Sequence, residues 1–230
     1  MTKNYVAIIP ARGGSKRFFR KNLALFNGKP LIAHTIEAAR KSLRLERVIV
    51  STEDPEIAAV AIKYNAEVPF LRPLELAQDH STTLQVINHV LECLETESRN
   101  IDAVVLLQPT SPLRTNVHID EAIDLFEKSS ADTVVAVCLA QEHPFYAWNL
   151  LDGKLTPYFS HQHQIMDRNE LPPAFFVNGS IYVISATVLQ SGAIYGGKSI
   201  PYQMDRSHSV DIDTPLDLLW AEFILSHNRD

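Results

Sequence analysis

Apolar residues occur along this chain in two rhythms. Short unbroken runs, YVAIIP (5–10), RVIVST (47–52), DAVVLLQP (102–109) and DTVVAVCLA (132–140), read as strands buried on both faces. Between them the apolar positions recur with helical period, over Pro30 to Leu43, Pro55 to Tyr64, Thr83 to Glu95 and Val117 to Lys128. Leu84, Ile87, Leu91 and Leu94 form one stripe, and the first two helices carry proline at their starts, where its missing N–H costs nothing. The stretch AEVPFLRP (66–73) reads as a short strand and turn. Strands alternating with helices of 10–14 residues predict βαβ units, hence an α/β fold with a doubly wound, mainly parallel sheet. Such sheets bind ligands beyond the carboxyl ends of their strands, where the loops converge.

After Ala140 the rhythm fails. Residues 141–175 read as irregular, with His143, Tyr146, Trp148, Tyr158, His161 and His163 set among prolines. A long irregular segment in a compact domain is usually functional, here as a lid or an oligomerisation arm. FFVNGSIYVIS (175–185) follows as a strand with an Asn-Gly turn or bulge inside it. Neither a repeat nor a linker-like composition shift is present, so residues 1–230 are expected to form one domain.

With 46% hydrophobic and 21% charged residues the composition is that of an ordinary globular chain. No apolar run reaches the roughly 18 residues of a membrane span, and MTKNYVAIIP enters a strand without a signal-like segment, so a cytoplasmic protein is expected. Cys93 and Cys138 are too few and too far apart for a disulfide framework, and their apolar surroundings predict buried structural thiols. The net charge of −6 argues against a nucleic-acid partner, but the charge is unevenly spread. Residues 1–36 hold seven Lys and Arg and no acid, leaving 14 basic against 27 acidic residues in the rest. A cationic loop on an acidic body suits a small, highly charged anion.

Three constellations could carry chemistry. In the first, Ala11-Arg12-Gly13-Gly14-Ser15-Lys16-Arg17, running on to Arg20-Lys21-Asn22, directly follows a buried strand. Its glycines allow close backbone approach, and Arg12, Lys16 and Lys21 offer charge to phosphate oxygens. It matches neither GxGxxG nor GxxxxGK[ST]. In the second, Asp211 and Asp213 lie two apart, so on extended backbone both carboxylates leave one face, roughly 7 Å apart at the Cα. Thr214-Pro215-Leu216-Asp217 reads as a capping box and does not use that pair, which with a phosphate ligand would suit Mg²⁺. In the third, Gln108-Pro109-Thr110-Ser111-Pro112-Leu113-Arg114 ends a central strand in hydrogen-bonding side chains. Ser111 or Thr110 could instead cap the next helix, and Arg114 could bind a carboxylate or pair with a surface acid. No GxSxG elbow surrounds Ser15, and the nine histidines lack metal-ligand spacing.

Taken in order, IIPARGGSKRFFRKN, FLRPLELAQDHSTT, LLQPTSPLR, RNELPPAFFVNGSIYV and SVDIDTPLDL resemble the cytidylyltransferases that activate nine-carbon sugar acids, the CMP-sialic acid synthetases and their legionaminic acid relatives. The resemblance spans nearly the whole chain. It implies a nucleotide-diphospho-sugar transferase-like fold, CTP as donor, a 2-keto sugar acid as acceptor, Mg²⁺ as cofactor and a homodimer. It also implies that Arg12, Lys16 and Lys21 hold the triphosphate, with Ala11, Gly13, Ser15, Asn22, Arg72 and Thr83 around the nucleotide. Gln108 and Thr110 would face the sugar acid, with Arg168 a candidate for the acceptor or the phosphates. Asp211 and Asp213 would bind the metal, and residues 141–175 would be the dimerisation arm. The SKRFFRKN stretch is bulkier than the SKG-type loop of many relatives, and His208 stands where a second basic residue is common. A sister group acting on pseudaminic acid usually lacks the QPTSPLR form.

Overall fold

Five of the six strands of the central sheet run parallel, in the order β10-β6-β9-β5-β1-β4. They are β1 (Tyr5–Pro10), β4 (Arg47–Ser51), β5 (Ala103–Leu107), β6 (Thr133–Leu139) and β10 (Ser199–Gln203), and β9 (Phe175–Ser185) is the antiparallel one. The structure, a computed structural model, describes residues 3–95, 101–159 and 171–227.

Alternation along the strands sorts the core into two layers. Tyr5, Ala7 and Ile9 of β1 face one side, against α1 (Leu31–Lys41), α2 (Pro55–Lys63) and α4 (Asn116–Ser129) through Ile36, Ile57, Ile119 and Phe126. Val6 and Ile8 face the other, against α3 (Thr83–Glu95) and α5 (Ala186–Gln190) through Ile87, Val90 and Val188. Each such aliphatic side chain contributes about 1.5–3 kcal/mol by leaving water. Because both faces are covered, the strands need apolar residues at every position, which is why they stand out as unbroken runs. Four expected helices lie where the apolar rhythm puts them, to within two residues at each end. Asp54 caps α2 by accepting from the amides of Glu56 and Ile57, with Pro55 in the first turn.

A third, smaller apolar cluster positions the site. Phe26 belongs to a short hairpin of β2 (Leu25–Phe26) and β3 (Lys29–Pro30), and it packs with Leu31, Leu113, Ile212 and Ala221 of α6 (Pro215–His227). Phe18 also packs here, so that ring of the bulky loop is used as core, while Phe19 points to solvent.

Several expectations need correction. Residues 66–73 form no strand; only a parallel bridge between Ile49 and Glu67 is made there. The cysteines are half-buried rather than buried: Cys93 lies within 3.8 Å of His89 on α3, and Cys138 sits near the end of β6 on the wall of a groove. Within the segment read as irregular, β7 (Trp148–Leu151) and β8 (Lys154–Pro157) form a hairpin. Its turn is Asp152-Gly153, both at positive φ, the geometry that matches the twist of flanking strands. The Asn-Gly pair in β9 does make a bulge: Val135 pairs with Tyr182 but Val137 pairs with Val177, leaving residues 178–181 opposite Ala136. Gly179 sits there at φ +74. Among the described residues no helix is long and apolar enough to cross a membrane.

Candidate active site

β1, β4 and β5 end together, and the loops leaving β1 and β5, with the segment that leads into α3, build a cavity of about 350 Å³ at the carboxyl edge of the sheet. This is the crevice that parallel sheets offer to ligands. Its wall includes Arg12, Ser15, Lys21 and Asn22 from the loop after β1, Arg72 and Thr83 from the approach to α3, and Gln108 and Thr110 from the loop after β5. Residues expected at separate places in the sequence therefore meet on one surface.

The loop after β1 is tied down at several points. The Ala11 amide donates to the Ser51 carbonyl (3.0 Å), and buried Asn22 donates to the Arg12 carbonyl (2.9 Å). The Gly13 amide donates to Glu53 Oε1 at 2.7 Å. A Cβ at residue 13 would lie 2.5 Å from Asp54 Oδ2, so any side chain there would force Asp54 to shift, whereas Gly14 faces open space. Lys21 follows in a one-turn 3-10 helix entered through Arg20 in the left-handed region.

The cations of this loop are each met by a carboxylate. Arg12 Nη1 lies 2.9 Å from Asp79 Oδ1, and Lys16 pairs with the same carboxylate. Lys16 first, and Arg12 second, hold the Asp79 carboxyl below the ordinary range. Lys21 Nζ lies 2.8 Å from Asp213 Oδ1, and Arg17 Nη1 lies 3.0 Å from Asp213 Oδ2. The glycine loop and the carboxylate pair, nearly two hundred residues apart in sequence, thus share one rim.

The 211–213 segment alternates as extended backbone should. Ile212 is fully buried in the third cluster, and its amide donates to the Thr110 carbonyl (2.8 Å); Asp211 and Asp213 turn outward. Asp211 has accessible surface as a residue, but its carboxyl turns toward Thr110. Burial is the main cause that raises its pKa; the Thr110 hydroxyl bond opposes the rise and Asp213 adds to it. Asp217 accepts from the Thr214 amide (2.7 Å) and hydroxyl, and its own amide donates back to the Thr214 hydroxyl (3.4 Å), completing the capping box. Two adjacent carboxylates are a hard-oxygen set suited to Mg²⁺, which keeps waters and substrate phosphate as its other ligands. No cluster of three acid, His or Cys groups is found among the described residues, so that cofactor would rely on phosphate to complete its shell.

Gln108 and Thr110 are held from behind. The Gln108 carbonyl accepts from Arg114 Nη1 (3.3 Å) and from the Thr35 hydroxyl (3.4 Å). Gln108 Oε1 lies 3.4 Å from where a Cβ on Gly179 would be, so the β9 bulge sets the space for its amide. Arg114 takes neither sequence-suggested role. It is 3% exposed, without an acidic partner among the described residues, and Nη1 also donates to the Ser180 carbonyl (2.8 Å). Burial pushes its pKa down to about 9, which leaves it protonated at neutral pH. Arg168 lies outside the described residues, as do His161 and His163.

Two residues of this site escaped the sequence reading. Asp79 stood inside a quoted motif with no role, and Glu53 lay just past the strand-like run 47–52 and was given none. Nothing in apolar rhythm tells which way a loop carboxylate turns. A larger groove of about 770 Å³ lies between β6, the 143–147 turn and α6, lined by Tyr146, Phe159, Phe176 and Trp220 with Arg206 at one side. It is mostly apolar and lacks the convergent cations of the smaller cavity, which is therefore the candidate site.

A parallel α/β sheet with a cationic glycine loop, a polar cavity and a carboxylate pair on one rim defines a nucleotidyltransferase. The chain belongs to the cytidylyltransferase family, whose model matches residues 6–217. It is 37% identical over 228 residues to the CMP-N,N'-diacetyllegionaminic acid synthase of Legionella pneumophila, covering 98% of this chain and 97% of that protein. It is 35% identical to the N-acylneuraminate cytidylyltransferase of Escherichia coli O18:K1:H7, covering 94% of this chain but 51% of that longer protein. It is 32% identical to the pseudaminic acid cytidylyltransferase of Campylobacter jejuni, covering 98% and 97%. Among solved structures, CMP:2-keto-3-deoxy-manno-octonic acid synthetase complexed with CTP superposes with a TM-score of 0.73 at 18% identity, covering 98% of this chain and 99% of that one, a likeness of fold.

Proposed function

We propose that this protein couples CTP to a nine-carbon 2-keto sugar acid of the sialic or legionaminic type, releasing the CMP-sugar and pyrophosphate. The observation that carries the reading is the Lys21–Asp213 contact, because it joins a lysine that lines the cavity to the carboxylate pair. The family membership and the full-length likeness to the legionaminic enzyme support the choice of base and acceptor class.

In this reading Arg12, Lys16 and Lys21 receive the triphosphate, exchanging their carboxylate partners for phosphate oxygens. Ala11, Gly13, Ser15, Asn22, Arg72 and Thr83 enclose the nucleoside. Gln108 and Thr110 orient the sugar acid, and Arg168 serves its carboxylate or the phosphates. The anomeric hydroxyl attacks the α-phosphorus in line, the bond to the β-phosphate breaks, and the charge on departing pyrophosphate is met by the three cations. Mg²⁺, held by Asp211 and Asp213, would supply neutralisation of the phosphates and a lowered hydroxyl pKa. A homodimer built through the 141–175 arm is part of the proposal, supported by exposed Trp148, Leu150 and Leu155 on the β7–β8 hairpin. A cytoplasmic location is part of the same proposal.

Pseudaminic acid is the second acceptor to consider, since an enzyme for it is similar over 98% of the chain. Pyrophosphate release should be measured with each of the four NTPs against N-acetylneuraminate, N,N'-diacetyllegionaminate and pseudaminate. Release with CTP and a sialic- or legionaminic-type acid supports the proposal. Release only with another nucleotide, only with pseudaminate, or with no acid in the panel refutes it.

A further inference from the structure

We infer that Glu53 is a positioning residue for the nucleotide: its carboxylate fastens the phosphate loop to Arg72 and keeps the charge of Arg72 away from the triphosphate. The inference rests on the CTP reading given above.

Glu53 lies just beyond β4, whose last residue, Ser51, pairs with Pro10 at the end of β1, so the two loops leave the sheet side by side. Its two oxygens are committed to different partners. Oε1 accepts from the Gly13 amide and Oε2 accepts from Arg72 Nη2, each at 2.7 Å. The contact is sheltered from water, with side-chain exposure of 10% for Glu53 and 3% for Arg72. The neighbouring residues strengthen the clamp. The Thr52 carbonyl accepts from the Arg72 amide (2.8 Å), and Asp54 lies so close to Gly13 that a side chain there would force it to shift.

A buried ion pair is weak support for stability, because desolvating two charges offsets most of their attraction. What it does supply is a fixed geometry, and here the geometry joins two walls of one cavity. The pairing also divides the cations of the site into two kinds. Asp79, which meets Arg12 and Lys16, is half-exposed, and so is Asp213, which meets Lys21; a phosphate could displace either. Glu53 is enclosed and bound on both oxygens. Arg72 therefore faces the cavity as a hydrogen-bonding group with its charge already compensated, suited to an uncharged base or ribose rather than to phosphate.

The test is steady-state kinetics of full-length Glu53→Gln, which keeps the size of the side chain but removes the charge and replaces one acceptor by a donor. The expected result is a KM for CTP raised at least tenfold, with kcat and the acceptor KM within about threefold of wild type. The preference for CTP over UTP should narrow as Arg72 loses its anchor. Glu53→Met, of similar length, is run beside it, and both are assayed below their own Tm so that folded enzyme is compared. A CTP KM within twofold of wild type in either folded variant overturns the inference, as does an equal rise in both KM values. A wild-type enzyme that neither binds nor turns over CTP would instead strike the functional reading itself, so the two failures are distinguishable.

Discussion

Lys21 Nζ stands 2.8 Å from Asp213 Oδ1, a contact that spans 192 positions of sequence. It is made because Ile212 is drawn into the apolar cluster beneath the rim, which turns Asp213 outward toward the loop that follows β1. Packing of one isoleucine thus sets the electrostatics of the site.

Asp211→Asn should leave the fold intact, because the amide keeps the size of the side chain and can still accept from the Thr110 hydroxyl. The proposed chemistry loses one of its two metal-holding groups, so kcat should fall at least about 100-fold, the scale for losing a preorganised electrostatic stabiliser. Circular dichroism and pyrophosphate release on the same preparation check both halves. Near-normal turnover at saturating Mg²⁺ would remove Asp211 from the mechanism.

Arg114→Ala should destabilise the protein. Truncation strips the guanidinium from the buried Ser180 carbonyl and the part-buried Gln108 carbonyl, and leaves a cavity where a buried side chain stood. Together these effects are expected to cost about 2–4 kcal/mol in urea denaturation. The acceptor KM should rise as well, since the Gln108 loop loses its anchor. Unchanged stability would show that other groups hold that loop.

Stability should decline as the solution turns acidic, and His118 should account for part of the decline. Burial first, and neighbouring His208 second, hold its pKa below the usual histidine value, with Glu121 and Asp205 opposing and Arg114 adding to the effect. Its Nδ1 accepts from the Thr115 amide (3.2 Å) in the capping box of α4, so protonation there breaks the cap. Below the unfolded value of about 6.5 the unfolded chain takes up a proton that the folded chain resists. The His118 contribution is therefore complete above that pH and is lost on going below it. His34, lowered mainly by burial, acts in the same direction. Glutamine preserves the cap without titrating. His118→Gln should thus lose less stability than wild type between pH 7.5 and 5.0, read as the shift in urea midpoint. Equal losses would contradict this account.

Much of the framework was legible in the sequence because burial on both faces leaves an unmistakable trace. β1, β4, β5 and β6, with the helices between them, follow directly from unbroken apolar runs and helical period. Asp152-Gly153 carried a hairpin signal between Leu150-Leu151 and Lys154-Leu155, but the prolines and aromatics around it masked that short element. The antiparallel setting of β9 could not be read, since a strand buried between two others looks alike in either direction. In the site, Gly13, Lys21, Gln108, Thr110 and the Asp pair stood out because glycine, charge or spacing marked them. Glu53 and Asp79 did not, because their importance lies in which way a side chain turns from a loop. Arg114 was misjudged in kind, as its partners are backbone carbonyls that no sequence motif encodes.

The central claim is that one nucleotide and one metal ion bridge the loop after β1 and the Asp211–Asp213 pair. Crystals grown with CTP and Mn²⁺ in place of Mg²⁺ test it directly through the anomalous signal of manganese. The account predicts a single strong peak within coordination distance of carboxylate oxygens of both Asp211 and Asp213, with the triphosphate on Arg12, Lys16 and Lys21. A metal peak remote from both carboxylates, or a triphosphate seated away from those cations, would contradict it.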